Sequence, residues 1–409
     1  MPPVTPVIPV IPVTGYLISE YPAVSHTFIQ REIEGLRHHG VDVRTYSIRE
    51  PAPSGLTGTA EQQEHARSFY IFPKLKSPLA LLTAHARLLA RAPGRYLKAL
   101  ALALRVRPAG VKALVYHLAY FAEAGVLAAR MQRDGVGHLH VHFANAGCTV
   151  GMLAAEICDM SFSFTMHGPT EFFDVHRLGL AEKLKRAAFV ACISHFCRSQ
   201  LMLFSDKSDW DKFHIIHCAL DSDKYDAESP KQPHNLLFVG RMAGVKGVPL
   251  LLESLAALRD DFPQLTATLV GDGPEQSALV AQAAALGLGD IVRFTGYQTQ
   301  QQVAGHMARA DLFVLASFAE GLPVVLMEAL ASATPVLTTR IAGVAELVED
   351  GVHGRLVSPG DQAGLTAALR ALLEDDAGRA AMGRAGPAKI AAEFDTRTEA
   401  GKLKQLFSR

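Results

Sequence analysis

Cysteine is sparse in this chain. Its five cysteines (Cys148, Cys158, Cys192, Cys197 and Cys218) form no Cys-x-x-Cys pair and no metal-ligand spacing. That excludes a disulfide framework or a zinc staple, and the thiols read as reduced, mostly buried groups of a cytosolic protein. Excess charge is also missing: 40 basic side chains balance 40 acidic ones. Bulk charge therefore singles out no partner, nucleic acid included. No run reaches the roughly 18 uninterrupted apolar residues of a membrane span. The nearest, "ALVYHLAYFAEAGVLAA", contains His117 and Glu123 and is read as a buried helix of a protein not integral to a membrane. The opening "MPPVTPVIPVIPVTG" lacks the basic segment and unbroken apolar core of a signal peptide, so residues 1–14 are read as a disordered or extended tail. One local absence stands out: no acidic residue occurs from His65 to Ala122.

What is present is rhythm. A chain of 409 residues is too long for one ordinary core and suggests two domains of about 200 residues each. "GYLIS" (15–19), the helical "SHTFIQREIEGLRHHG" (25–40) and "VDVRTYSI" (41–48) give the strand, helix, strand order of a parallel sheet. Ser25 is placed to cap that helix and Gly40 to end it. Further strands are predicted at 138–144, 161–168, 187–194 and 213–221. The polar, proline-containing "DSDKYDAESPKQPHN" (221–235) is the best domain boundary. After it the pattern restarts with strand-bearing segments at 235–241, 266–275, 291–297, 310–317 and 334–340. The reading is α/β: a tail, a Rossmann-like domain over 15–220, a linker over 221–235 and a second Rossmann-like domain over 236–388. A C-terminal helix over 389–409 returns to the first domain. Two such domains would face each other across a cleft, with ligands at the carboxyl ends of the strands.

Four post-strand segments of the second half carry candidate chemistry. In "FVGRMAGVKG" (238–247), Arg241 and Lys246 flank a glycine-containing loop suited to a pyrophosphate, or are two solvated cations. "LVGDGPE" (269–275) is a phosphate loop or a tight turn, and "FTGYQTQQQV" turns at Gly296, where backbone groups could meet a nucleobase. In "ASFAEGLPVVLMEALASATPV" (316–336), Glu320 lies on a strand-to-helix loop and Pro323 opens a helix. The free amides around Leu322, Val324 and Val325 would form an anion site. Glu328, further along, could read the two vicinal hydroxyls of a ribose, because a carboxylate offers several acceptor sites and no donor. Each acid alone also fits a plain structural reading: a helix-start acid for Glu320, an exposed helix residue for Glu328.

Together these elements resemble the retaining, nucleotide-sugar-dependent family 4 glycosyltransferases of GT-B fold. The resemblance rests on "EGLPVVLME" (320–328), "ALASATPVLTTRIAGVAELVEDGVHGRLV" (329–357), "GRMAGVKG" (240–247) and "VGDGPE". More loosely, "YLISEYPAVSHTFIQREIEGLRHHGVDV" (16–43) and "FTMHGPTEFF" (164–173) resemble bacterial exopolysaccharide members of colanic-acid type. The resemblance implies a hexosyltransferase using a UDP- or GDP-sugar, with a saccharide or lipid-linked saccharide acceptor and retained anomeric configuration. Arg241 and Lys246 would hold the donor diphosphate, Glu328 the ribose, and Glu320 the donor sugar. Gly321 and the following amides would lie against sugar and phosphate, and His167 would face the donor sugar. No metal and no cofactor are implied for catalysis. The loop "SEYPAVSHTF" departs from the glycine pair many relatives carry there, so Ser25, His26 and Thr27 receive no catalytic role.

The acid-free stretch carries ten cations, among them Lys74, Arg87, Arg91 and Arg105, between apolar helical segments. It is either a solvated helical face or a peripheral contact with an anionic membrane, placing the protein in the cytoplasm or at the inner face of the plasma membrane. Two other readings of the whole remain: a sugar-nucleotide epimerase of the same fold, and a catalytically silent scaffold of a polysaccharide-assembly complex. A phosphorylase would require a pyridoxal-phosphate lysine, for which nothing beyond Lys246 stands out.

Overall fold

The structure is a computed structural model describing residues 11–23, 26–53, 56 and 58–408. Ser25, the expected helix cap, and residues 1–10 of the expected tail lie outside the described residues. The chain separates into two units, residues 1–217 with 397–409, and residues 218–396.

The first unit is built on seven strands: β1 (Thr14–Glu20), β2 (Val43–Arg49), β3 (Phe69–Tyr70), β4 (His138–His142), β5 (Ser161–Met166), β6 (Phe189–Cys192) and β7 (Phe213–Ile215). Their order is β3-β2-β1-β4-β5-β6-β7, every pair parallel. The second unit holds β8 (Asn235–Val239), β9 (Thr266–Val270), β10 (Val292–Gly296), β11 (Leu312–Leu315), β12 (Val336–Thr339) and β13 (Gly354–Val357). Here the order is β10-β9-β8-β11-β12-β13, again all parallel. In each sheet the chain winds outward from its first strand, then reverses to the other side. The reversal falls between β1 and β4 and between β8 and β11, the doubly wound pattern whose loops diverge there. Strands β4, β6, β11 and β12 are buried throughout, as expected of parallel strands covered on both faces. β3 and β13 were not anticipated. The first has two residues, and the second, "GRLV", is only partly buried and shows no apolar alternation.

Residues 221–235 are not a free linker. They belong to the second unit, and the half-buried Lys231 ties them in: its ammonium donates to the carbonyl oxygens of Ser332 (2.6 Å) and Ala308 (2.9 Å) and to Thr334 Oγ1 (2.9 Å). Burial brings the Lys231 pKa down to about 8. The return to the first unit comes at Arg397, later than position 389. Helix Asp376–Glu393 stays in the second unit, while Leu403, Leu406 and Phe407 of helix Thr396–Phe407 join the first-unit core beside Tyr16, Ile18, Ile33 and Phe189.

Helix Val111–Asp134 is the one described helix long and apolar enough to cross a membrane. Val111, Val115, Tyr116 and Leu118 near its start are exposed, whereas Ala124 to Ala128 and Met131 are buried. Only its later half matches the buried helix expected from sequence.

A polar ladder runs through the buried β4–β5 pair. His138 bonds Ser161 and Ser163 (both 2.6 Å), and His140 bonds Ser163 (2.7 Å) and Thr165 (2.8 Å). Side chains two apart on a strand share a face, so the spacing of HLHVH and SFSFT brings them together. Burial lowers the His138 pKa to about 4 and that of His140 well below its ordinary value. The unfolded chain therefore takes up protons below about pH 6.5 that the folded chain refuses. This stability is complete above pH 6.5 and declines as pH falls toward about 4, by up to about 3 kcal/mol for His138. We expect the thermal midpoint to fall between pH 7 and 5. His138→Gln should lower the midpoint at pH 7 while reducing its drop across that interval, and an equally steep drop in the variant would contradict the linkage.

Candidate active site

The second unit's reversal point brings together two loops far apart in sequence. The loop after β8 carries Arg241 and Lys246, and the loop after β11 carries Ser317 and Glu320. Lys246 Nζ donates to Glu320 Oε1 at 2.6 Å, and Ser317 Oγ donates to the same oxygen at 2.6 Å. The amide of Phe318 donates to the Val245 carbonyl at 2.8 Å, stitching the loops at backbone level. Arg241 is exposed, and its guanidinium makes no hydrogen bond or ion pair among the described residues. Two cations and the Glu320 carboxylate thus meet on the paired loops after β8 and β11.

Glycines set this geometry. Gly247 has φ +64°, and a Cβ there would lie 2.0 Å from the Ala316 carbonyl oxygen. Gly271 has φ +132°, and its Cβ would lie 1.9 Å from the Gly240 carbonyl oxygen. The "GDGPE" segment, read from sequence as a phosphate loop or a turn, buttresses the Arg241 loop. Met242 N–H donates to Asp272 O and Glu275 N–H to Met242 O, both at 3.0 Å.

Helix Val324–Ala331 starts one residue later than expected, with Pro323 in an extended conformation as its N-cap. The amides of Val324 and Val325, at its first turn, have no intrahelical acceptor. Leu322 is buried, and Gly321 O accepts from Gly343 N–H at 3.1 Å. Glu328 is half-buried, and Tyr225 Oη donates to its Oε1 at 2.9 Å, a partner that sequence reasoning missed because it falls in the supposed linker. Gly296 has φ +68° and open space beside it, and its carbonyl accepts from Gly271 N–H at 2.9 Å. The structure thus gathers Lys246 and Glu320 directly and places Arg241 and Gly321 on post-strand loops of the same sheet, with Gly296 the last residue of β10.

His167 lies in the first unit, just past β5. It is buried, and burial together with the neighbouring His142 and His26 depresses its pKa well below the usual histidine range. Its Nε2 meets His142 Nδ1 at 3.1 Å, while His142 Nε2 meets Glu32 Oε1 at 3.1 Å and Tyr16 Oη donates to Glu32 at 2.8 Å. The loop is held from beneath by buried Glu171, which accepts from the amides of Ala144, His167 (3.1 Å) and Gly168 (2.9 Å). Buried Lys183 donates to the carbonyls of Ala144 (2.7 Å) and Asn145 (2.9 Å). Glu32, His142, Glu171 and Lys183 were not foreseen. The usable signal was three histidines at alternate positions in a strand otherwise fit for burial. Glu32, His140 and His142 hold the one set of donor atoms, among the described residues, close enough to share a cation. Both ring nitrogens of each histidine already have hydrogen-bond partners.

The glycine geometry has a direct consequence. Gly247→Ala should destabilise the protein by about 3 kcal/mol, since left-handed strain adds to a backbone collision. Gly305→Ala, in helix Gln300–Arg309 with nothing near its Cβ, should stabilise by up to about 1 kcal/mol. Thermal denaturation of both variants checks this, and equal midpoints would rule out the close approach at Gly247.

Comparison with known proteins fits this layout. Residues 221–389 match the family described as glycosyl transferases group 1. The glycogen synthase of Mycobacterium tuberculosis is 35% identical over 196 residues, 47% of each chain. The amylovoran biosynthesis glycosyltransferase AmsK of Erwinia amylovora is 28% identical over 208 residues, 49% of this chain and 51% of AmsK. The chain spans about half the length of the curated relatives it matches. Among solved structures, Anabaena HepE in complex with UDP superposes with a TM-score of 0.72 at 19% identity, over 97% of this chain and 99% of that one. Sucrose-phosphate synthase from Thermosynechococcus elongatus gives a TM-score of 0.72 at 19% identity, over 96% and 98%. These likenesses establish the two-unit α/β fold called GT-B, and residues 221–389 match the model of the group 1 glycosyl transferases.

Proposed function

We propose that the protein is a retaining hexosyltransferase. It moves a sugar from a UDP- or GDP-sugar to a saccharide or lipid-linked saccharide acceptor in exopolysaccharide or cell-surface glycan assembly in the cytoplasm. The observation that carries this reading is the Lys246–Glu320 pair at the reversal point of the second sheet, with Arg241 on the same loop. Support comes from HepE, whose structures hold UDP and UDP-glucose, and from AmsK, named for amylovoran biosynthesis.

Each side chain has a task in this reading. A lysine ammonium has three donors, so Lys246 can hold Glu320 and still meet a diphosphate oxygen. Arg241 brings a planar fork to the same diphosphate. The amides at the start of helix Val324–Ala331, with the Gly321–Leu322 backbone, add positive potential where the leaving group gains charge. This charge is in place before the bond breaks, which favours departure of the nucleoside diphosphate and an oxocarbenium-like sugar. Ser317 and Lys246 orient Glu320 toward the donor sugar. Tyr225 fixes the rotamer of Glu328 by occupying one of its several acceptor sites, and the others suit ribose hydroxyls. Gly296 leaves room for a nucleobase against the backbone.

The reading predicts that UDP or GDP raises the thermal midpoint with concentration, by up to about 2.7 kcal/mol of added stability at a hundred times Kd. Lys246→Met should abolish that shift. Glu320→Ala should retain it and lose about a hundred- to thousandfold in kcat for sugar transfer. Unchanged transfer by Glu320→Ala would defeat the assignment, and a new sugar nucleotide formed without acceptor would identify an epimerase instead.

A further inference from the structure

Six cations of the acid-free stretch fall into two groups that the sequence could not separate. Those facing the rest of the first unit are neutralised: Arg95 pairs with Asp159 (2.7 Å), Lys98 with Glu156 (2.7 Å) and Arg105 with Glu182 (2.6 Å). A second group converges on a cavity of about 560 Å³ between helices Pro78–Arg91 and Val111–Asp134. Lys74, Arg87 and Arg91 of that stretch line it together with Arg130 and Arg133 from beyond it, and no carboxylate does. Its apolar floor includes Phe69, Leu88 and Val126. Arg130 is held by Asp134 at 2.8 Å and lies over the Phe69 ring at 4.7 Å. Lys74, Arg87, Arg91 and Arg133 make no ion pair among the described residues.

This is more than a solvated helical face. Arg87 and Arg91 stand four apart on one helix and Arg130 and Arg133 three apart on the other, spacings at which like charges destabilise a helix. A concave, low-dielectric wall of one sign concentrates potential that a flat surface would dissipate. Guanidinium groups in such numbers match phosphate oxygens through paired N–H donors. Across the solvent-facing side of helix Pro78–Arg91, away from the cavity wall, Leu79 is 74% exposed, Leu82 67% and Leu89 41%. A cationic cavity on one flank of a helix and apolar side chains on its exposed side suit the two halves of an amphiphile at a surface.

We propose that this cavity binds the phosphate headgroup of an anionic lipid at a bilayer surface, with Leu79, Leu82 and Leu89 entering the acyl boundary. The site is separate from the donor site and does not depend on the proposed transfer.

The test uses the full chain and vesicles of phosphatidylcholine with or without phosphatidic acid. Wild type should co-sediment at least tenfold more tightly with the acidic vesicles, and less so as salt rises. Removing two near-surface cations in R87A/R91A should weaken binding about thirtyfold. R95A/K98A, which removes cations already paired elsewhere, should change it little. L79S/L82S should weaken vesicle binding while leaving unchanged any pyrophosphate affinity that depends on Arg87 and Arg91. Circular dichroism should show all variants folded, because these side chains are exposed. Equal binding to neutral vesicles, or equal loss in R87A/R91A and R95A/K98A, would overturn the proposal. Pyrophosphate binding sensitive to R87A/R91A with no vesicle binding would overturn the lipid assignment. None of these readouts depends on sugar transfer, so failure here and failure of the transferase reading are distinguishable.

Discussion

Every hydrogen-bonded strand pair in both sheets is parallel, so each strand must be left by a crossover and re-entered from the same end. That constraint gathers all post-strand loops of a unit along one edge. It also makes the loops after β8 and β11 part company, because the chain proceeds from one to β9 and β10 and from the other to β12 and β13. Lys246 and Glu320 meet across that divergence although 74 positions separate them. The glycines at 247 and 271 permit the approach, since their neighbours are backbone carbonyls that cannot move aside.

Much of this was readable in the chain. Buried parallel strands announce themselves as short apolar runs, and eleven of the thirteen were anticipated from that alone. The Arg241–Lys246 loop and the Glu320–Glu328 element were visible as charge beside glycine and proline at strand ends. What could not be read had specific causes. Residues 221–235 have the composition of a linker, yet the Lys231 ammonium finds three oxygen acceptors in the second unit, and no pattern in the sequence encodes that meeting. "GDGPE" reads from sequence as either a phosphate loop or a tight turn, and its backbone hydrogen bonds to the Arg241 loop are not encoded in that pattern. The ten cations formed a single class until the fold assigned some of them carboxylates and left others around a cavity.

The two units manage buried polarity differently. In the second, charge meets charge at the loop edge, where both partners are half-buried. In the first, neutral imidazoles and hydroxyls alternate between β4 and β5, and Ser163 serves both His138 and His140. A neutral network needs no counter-charge, but it depends on each ring staying unprotonated, so the first sheet is the acid-sensitive one. The Glu171 carboxylate and Lys183 ammonium show a third arrangement: both are buried, and backbone amides and carbonyls of the loops after β4 and β5 satisfy them.

Helix Thr396–Phe407 lays Leu403 and Phe407 over Tyr16 and Ile18 of the opening strand. Vectorial synthesis therefore delivers the lid of the first core last, after the whole second unit has left the ribosome. Until then the cluster around Tyr16 and Ile18 has Ile29, Ile33 and Leu36 but lacks Leu403, Leu406 and Phe407. The nascent chain holds an unfinished amino-terminal body beside a carboxyl-proximal body that can already close, which reverses the usual order in which tandem domains mature.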